Sequence, residues 1–185
     1  MSGRRAAAGP AGAGGALAFV SLGSNIDPER NLGRALRRLA ERVAVRDVSR
    51  VWRSRPVGGT GGDFLNAAVA LETPLDAVAL KYDVLRVIET ALGRVRGPDR
   101  NAPRTIDLDI AFYADGPLDV PDGRGGRLRL PDPEIARAPH VALPLADLAP
   151  ALRPLGDGRT LAQIAAACAA AAGDDRPTVV ARPDL

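Results

Sequence analysis

The fold of this chain is decided by a ten-residue stretch, residues 104–113, which reads RTIDLDIAFY. Apolar and acidic residues alternate along its middle, as expected for a strand that packs against a core on one side only. Ile106 and Leu108 would enter the core, while Asp107 and Asp109 share the opposite face at a spacing of about 6.5–7 Å along the backbone. Carboxylates this close repel each other unless a cation lies between them. Paired oxygen ligands suit Mg²⁺, which completes its coordination with water and phosphate oxygens.

Three segments upstream also have the pattern of strands: residues 17–22, 45–54 and 64–71. Two helical patterns separate them, so the order is strand, helix, strand, strand, helix, strand. This order predicts an α+β fold with a ferredoxin-like βαββαβ core, in which an antiparallel sheet carries both helices on one face.

Both predicted helices have recognisable ends. Asp27 is placed as the N-cap of the first helix, with Pro28 at its first position. The second helix would be capped by Thr73, with Pro74 at its first position, and would end at Gly93.

The 185 residues are enough for one domain. We expect a flexible Gly/Ala-rich tail over residues 1–16, a single domain over residues 17–172 and a C-terminal tail over residues 173–185. The last part of the domain would be an elaboration with one strand and two helices, at residues 128–130, 141–148 and 160–171.

Composition limits the classes of function. Lys and Arg number 25 against 22 Asp and Glu, and an excess of +3 does not indicate a nucleic-acid partner. No window holds the roughly 18 apolar residues of a membrane span, so we expect no membrane association. The single cysteine, Cys168, rules out a disulfide within the chain and is typical of a cytoplasmic protein.

Four arginines lie within the eleven residues that end at the predicted strand: Arg94, Arg96, Arg100 and Arg104. Glycine and proline between them indicate a loop, and a second, glycine-rich loop lies at residues 58–62. Guanidinium groups bind polyphosphates through paired hydrogen bonds. Each feature alone is more often an exposed polar surface, but carboxylates beside arginines are the layout of a phosphoryl-transfer site.

Residues 100–110, RNAPRTIDLDI, resemble the signature of the 6-hydroxymethyl-7,8-dihydropterin pyrophosphokinase family of the folate pathway. Supporting matches follow in the family's order: GSN at residues 23–25, FLNAA at 64–68, GRVR at 93–96, LPL at 143–145 and LAP at 148–150. The resemblance covers residues 17–161.

The resemblance implies transfer of the pyrophosphoryl group of ATP to the hydroxymethyl oxygen of the pterin, with AMP as the other product. Asp107 and Asp109 would hold two Mg²⁺ ions, with ATP as co-substrate, and Arg94 and Arg104 would stabilise the charge that develops during transfer. The enzyme would be a monomer whose partners are the pterin and ATP.

The resemblance also implies which residues bind each substrate. Those that contact ATP would be Arg96, Arg100, Arg104, Ile110 and Arg127. Arg127 and its neighbour Arg129 are left open between contact with ATP and an exposed strand face. Those that contact the pterin would be Ser54, Val57, Phe64, Asn66 and His140, with Phe64 stacked on the ring and Asn66 bonded to its edge. Glu89 is left open between a residue that supports the site and an exposed one.

The sequence departs from the family's pattern at three positions. Asp132 stands where the family has a histidine, Ala138 where it has an arginine, and His140 where it has a phenylalanine. Arg137 is a candidate replacement for the missing arginine. These departures keep open the alternative of a catalytically impaired or inactive relative that binds pterin or nucleotide. A ferredoxin-like RNA-binding protein is a weaker alternative, because one Trp, two Tyr and three Phe offer few stacking platforms.

Overall fold

The computed structural model describes residues 15–56, 61–97 and 102–181. The strands are β1 (Ala16–Ser24), β2 (Ala44–Val48), β3 (Val51–Ser54), β4 (Phe64–Thr73), β5 (Asp107–Tyr113), β6 (Leu118–Pro121), β7 (Arg127–Leu130) and β8 (Thr178–Ala181). The helices are α1 (Pro28–Ala40), α2 (the segments Ala77–Ala79, Leu80–Leu85 and Arg86–Ala91), α3 (Pro139–Leu148) and α4 (Leu161–Ala172). The middle segment of α2 is π-helical, and 3₁₀ turns cover Pro133–Ala136 and Gly173–Asp175.

The main sheet has the strand order β5-β1-β4-β3-β8, and β2 also pairs with β4. All of these pairs are antiparallel. The predicted ferredoxin-like α+β fold is therefore confirmed. Gly23 of β1 lies opposite Asn66 on one side and opposite Asp107 on the other, which brings three strands together at one end of the sheet.

Alternation along the strands builds a separate core on each face of the sheet. Val20 and Leu22 of β1 pack with the apolar stripes of α1 and α2, where each fully buried leucine contributes about 1.5–3 kcal/mol. Phe19 faces the other way and stacks on Phe112 with ring centroids 4.4 Å apart, under α3 and α4. Among the described residues, no helix is both long enough and apolar enough to span a bilayer.

Of the two predicted helix starts, that of α1 is confirmed in position and that of the second helix is wrong. Asp27 is the N-cap residue of α1 and Pro28 is its first residue, as predicted. Asp27 has a left-handed backbone with φ of 43°, and its side chain makes no capping hydrogen bond to α1. Thr73 is the last residue of β4, and the second helix begins later because Asp76 accepts a hydrogen bond from the N–H of Ala79. The predicted end at Gly93 agrees with the structure, where a φ of +79° follows the last turn.

The predicted strand over residues 45–54 is two strands, because Ser49 interrupts it. The Ser49 hydroxyl accepts a hydrogen bond from the N–H of Ala68 at 2.8 Å and takes the place of a backbone partner. Part of the predicted C-terminal tail is also ordered, since β8 pairs with β3. Residues 1–14 of the predicted N-terminal tail lie outside the described residues, and the domain limits remain predictions.

Candidate active site

The two aspartates of β5 lie on the sheet face away from α1 and α2. Leu108, between them, is 1% exposed and belongs to the core on the opposite face. Asp107 pairs with Gly23 of β1, and Asp109 pairs with Ser21. Both carboxylates therefore face the same space, at the end of the sheet that the core under α3 and α4 leaves open.

This space is a cavity of about 410 Å³, which we call the first cavity. It brings together seven residues that the sequence nominated: Ser54, Phe64, Asn66, Arg104, Asp107, Asp109 and His140. Sequence reasoning missed Ser21, Arg55, Glu134 and Val141 in the same lining. Only Ser21 had a local signal, since it lies two residues before Gly23 on the same face of β1.

The amide group of Asn66 is held in one orientation. Its Nδ2 donates to Ser54 Oγ at 2.9 Å and to the carbonyl of Trp52 at 3.2 Å. A Cβ added at Gly23 would lie 3.4 Å from Asn66 Oδ1 and 3.9 Å from the ring of Phe64. The glycine therefore keeps open the part of the first cavity between the amide oxygen and the aromatic ring.

A second cavity of about 460 Å³ adjoins the first. It contains Ile110 and Arg127, which the sequence nominated for ATP, together with Lys81 and Arg129. Asp109 and Asp132 line both cavities. The predicted pterin residues and these two predicted nucleotide residues thus lie on either side of one metal-ligand candidate.

Three of the four nominated arginines converge on Asp107. Arg104 donates to its carboxylate, Arg94 Nη2 lies 3.8 Å from Oδ2 and Arg96 Nη2 lies 3.9 Å from Oδ1. The Arg94 side chain is 9% exposed, and its Nε has no hydrogen-bond partner within the described ranges. Neither Arg94 nor Arg96 lines either cavity, so the unpartnered Nε is a candidate ligand contact that the cavity walls do not expose.

Arg104 is anchored through its backbone as well as its side chain. Its N–H donates to Asn25 Oδ1 at 2.7 Å, and its carbonyl accepts from the N–H of Asn25 and of Ile26. Its guanidinium lies 5.8 Å from the centre of the Phe64 ring. The remaining nominated residues, Val57 and Arg100, lie outside the described residues.

Glu89 is buried, so the exposed alternative for this residue is wrong. Its Oε1 accepts from the N–H of Leu108 at 2.9 Å, and its Oε2 accepts from Arg86 and Arg96 at 2.7 Å each. Burial raises the pKa of Glu89 to about 8, while the Leu108 N–H and the charge of Arg86 act in the opposite direction. The carboxylate fixes α2 to the backbone of β5 between the two aspartates.

Asp109 carries the electrostatic signature of a cation site. Burial, and then the charge of Asp107, raise the pKa of Asp109 to about 6. A divalent cation between the two carboxylates would reverse this cost. The described residues contain no group of three or more His, Cys, Asp or Glu side chains that is placed to hold a metal ion. Two carboxylates alone fit Mg²⁺, which keeps water and takes phosphate oxygens as its other ligands.

The three departures from the family's pattern have distinct surroundings. Asp132 accepts from the N–H of Glu134 at 2.8 Å and caps the 3₁₀ turn, and burial raises its pKa. Ala138 is buried at the start of α3, and Arg137 donates to Glu134 without lining either cavity. His140 faces the first cavity, where burial lowers its pKa and favours the neutral ring.

An open sheet end that carries paired aspartates beside converging arginines is the arrangement of a phosphoryl-transfer protein. The family model described as 7,8-dihydro-6-hydroxymethylpterin-pyrophosphokinase matches residues 19–150. The chain belongs to this family, as the motifs had indicated.

The named relatives are similar over most of their length. The 2-amino-4-hydroxy-6-hydroxymethyldihydropteridine pyrophosphokinase of Pseudomonas aeruginosa is 41% identical over 155 residues, which cover 81% of this chain and 90% of the relative. The protein of the same name from Synechocystis is 36% identical over 150 residues, which cover 80% of this chain and 73% of the relative.

Solved structures share the fold at low sequence identity. A Plasmodium falciparum HPPK-DHPS triple mutant with pteroate has a TM-score of 0.69 at 12% identity, and the match covers 91% of this chain and 49% of that one. An HPPK-DHPS in complex with substrates has a TM-score of 0.71 at 10% identity, over 91% of this chain and 48% of that one. The chain therefore spans about half the length of these solved chains.

Proposed function

We propose that this chain transfers the pyrophosphoryl group of ATP to the hydroxymethyl oxygen of 6-hydroxymethyl-7,8-dihydropterin, releasing AMP and the pterin diphosphate for folate biosynthesis. The observation that carries the proposal is the position of Asp109, which lines both the cavity with the pterin residues and the cavity with two of the nucleotide residues. Relatives at 36–41% identity are named as this pyrophosphokinase, and none of them favours the inactive alternative.

The first cavity suits a flat, hydrogen-bonding ring. Phe64 and His140 are the ring side chains that line it, and a neutral imidazole stacks on a pterin without carrying charge into the cavity. Asn66 presents a fixed amide oxygen, because Ser54 and the Trp52 carbonyl hold its nitrogen. We assign these groups to the faces and the polar edge of the pterin.

The second cavity suits the nucleotide. Ile110 and Arg127 would contact ATP there, and its phosphates would extend toward Asp109 and the arginines near Asp107. Arg96 and Arg100 would close over the nucleotide from the loop.

In the transfer step the hydroxymethyl oxygen gives up its proton to water and bonds to the β-phosphorus. The bond between that phosphorus and the oxygen that bridges it to the α-phosphorus breaks, and AMP leaves with that oxygen. Asp107 and Asp109 would hold two Mg²⁺ ions, which supply charge neutralisation on the phosphate oxygens and lower the pKa of the attacking hydroxyl. Arg104 would release Asp107 and donate to the phosphate oxygens, and Arg94 would offer its unpartnered Nε.

We further propose that the enzyme acts as a monomer in the cytoplasm, with the pterin and ATP as its small-molecule partners and no nucleic acid or membrane. The single cysteine, Cys168, is buried and free, which agrees with a reducing compartment.

The test is an assay of AMP formation with ATP, Mg²⁺ and the reduced pterin alcohol. We expect AMP only when all three are present, and loss of turnover in Asp107→Ala and Asp109→Ala. Asp115→Ala is the matched control, because Asp115 is exposed in the turn after β5 and lines neither cavity. Full turnover in either aspartate variant contradicts the metal assignment, and pterin binding without AMP would establish the inactive module instead.

A further inference from the structure

Lys81 lies on the wall of the second cavity, at a position that no sequence motif singled out. It is the only lysine in the chain. The side chain is half-buried, and it forms neither a hydrogen bond nor an ion pair with any residue in the described ranges. Its Nζ lies 5.9 Å from the ring centre of Tyr82. The ammonium group is therefore available to a ligand in the cavity.

The other two cations of this cavity are already engaged. Arg127 Nε lies 2.6 Å from Asp119, and Arg129 Nε lies 3.5 Å from the same carboxylate. Part of their charge is neutralised before any anion enters. Lys81 has no such ion-pair partner among the described residues, so its ammonium group can donate hydrogen bonds to an entering anion without first breaking an ion pair.

A cation is needed in the second cavity because two carboxylates in its wall would repel the phosphates of ATP. Asp109 and Asp132 both line the second cavity, and the charge of Lys81 lowers the pKa of each. Asp132 stands where the family's pattern has a histidine, so this chain places an extra negative charge close to the expected path of the phosphates. A facing cation offsets that charge.

The backbone at Lys81 is also unusual. The N–H of Arg86 donates to the carbonyl of Lys81, five residues earlier, within the π-helical segment Leu80–Leu85. A π turn inserts one residue into a helix and changes the direction of the neighbouring side chains, and such turns are frequent at functional sites. Leu80 and Val84 remain in the core, while Lys81 lies on the cavity side.

We propose that Lys81 is a nucleotide-binding residue of this chain, which donates from its ammonium group to the anionic tail of ATP in the second cavity. The inference rests on the proposed function and adds a residue to it. Lys81 holds the phosphates from the side of α2 and compensates for Asp132.

The test is calorimetric titration with a non-hydrolysable ATP analogue in the presence of Mg²⁺. We expect Lys81→Met to weaken binding about tenfold, as for the loss of one charge-assisted hydrogen bond, and Lys81→Arg to retain most of the affinity. Arg37→Met is the matched control, because it removes the same charge from an exposed position of α1 that lines neither cavity. Thermal unfolding of each variant checks that the fold is kept.

Kinetics separate a binding role from a structural one. Lys81→Met should raise the KM for ATP with little change in kcat or in the KM for the pterin, and the salt dependence of nucleotide binding should become shallower than in the wild type. A Lys81→Met protein that binds the analogue like the wild type overturns the inference and leaves the proposed function standing. A wild-type protein that binds no analogue overturns both.

Discussion

Replacing Asp109 by asparagine should stabilise the metal-free protein while abolishing its activity. The pKa of Asp109 is raised from its ordinary value of 3.8 to about 6, chiefly by burial. At roughly 1.4 kcal/mol per pKa unit, keeping this carboxylate ionised in the folded protein costs about 3 kcal/mol. No hydrogen bond to the carboxylate is present among the described residues, so asparagine removes the charge without breaking one.

The gain in the free energy of unfolding from Asp109→Asn should increase with pH. Because the folded-state pKa is the higher one, the stability contribution of the neutral acid is complete below pH 3.8 and is lost as pH rises through about 6. At pH 8 the wild type bears the full cost, so Asp109→Asn should be more stable by about 3 kcal/mol. At pH 4.5 the gain should fall to about 1 kcal/mol, because the folded wild type is by then largely protonated.

Urea unfolding at these two pH values, in the presence of a chelator, measures the difference directly. Asp107→Asn is the matched control, because Asp107 is paired with Arg104 and lies 3.8 Å from Arg94, so removing its charge should bring no gain. A variant Asp109→Asn that is no more stable than the wild type at pH 8, or whose gain is equal at both pH values, refutes the reasoning.

Three other substitutions test the two cavities. Gly23→Val should raise the KM for the pterin at least about tenfold and leave nucleotide affinity unchanged, because its side chain would fill the space beside Asn66; unchanged pterin binding in calorimetry would contradict this. His140→Phe should tighten pterin binding by about threefold through a larger stacking surface, whereas weaker binding would place His140 away from the ring. Asp132→Asn should lower the KM for ATP about threefold or more, since the amide oxygen still accepts the hydrogen bond from Glu134 while the repulsive charge is removed. An increase in that KM would show that the carboxylate itself takes part in binding.

The sheet could be predicted because β1 and β4 are short apolar runs that are separated by helical patterns, and because β5 alternates between apolar and acidic residues. The shared face of the paired aspartates followed from that alternation. The helix start at Asp76 was missed because Thr73 has equally good capping chemistry, and only its pairing with Ala16 in the sheet shows that the strand continues that far. β8 was missed because a short exposed strand is stabilised by its partner strand and carries no strong pattern of its own.

The residues of the candidate site also fall into those that the sequence could predict and those that it could not. The aspartates and arginines share one short segment, so their proximity could be inferred from sequence alone. The burial of Glu89 depends on how α2 docks on β5, which the sequence does not show. Lys81 belongs to a π-helical segment of α2, and no local sequence pattern predicts such a segment. Asp132 could be recognised from sequence as a departure from the family's pattern. Its position in the walls of both cavities could not be predicted, because it depends on the 3₁₀ turn that Asp132 caps.

The features that make the metal-free site unfavourable are the same ones that fit it for its substrates. Asp109 is held ionised at neutral pH at a cost, the Arg94 Nε is buried without a partner among the described residues, and Asp107 has drawn Arg104 to itself. Divalent cations would neutralise the charge of Asp109, and phosphate oxygens would accept a hydrogen bond from the Arg94 Nε. Release of Arg104 to the phosphates would then be nearly neutral in energy, because each charge exchanges one partner for another. A site that is preorganised in this way opposes folding when empty and favours binding, so its variants should trade stability against activity.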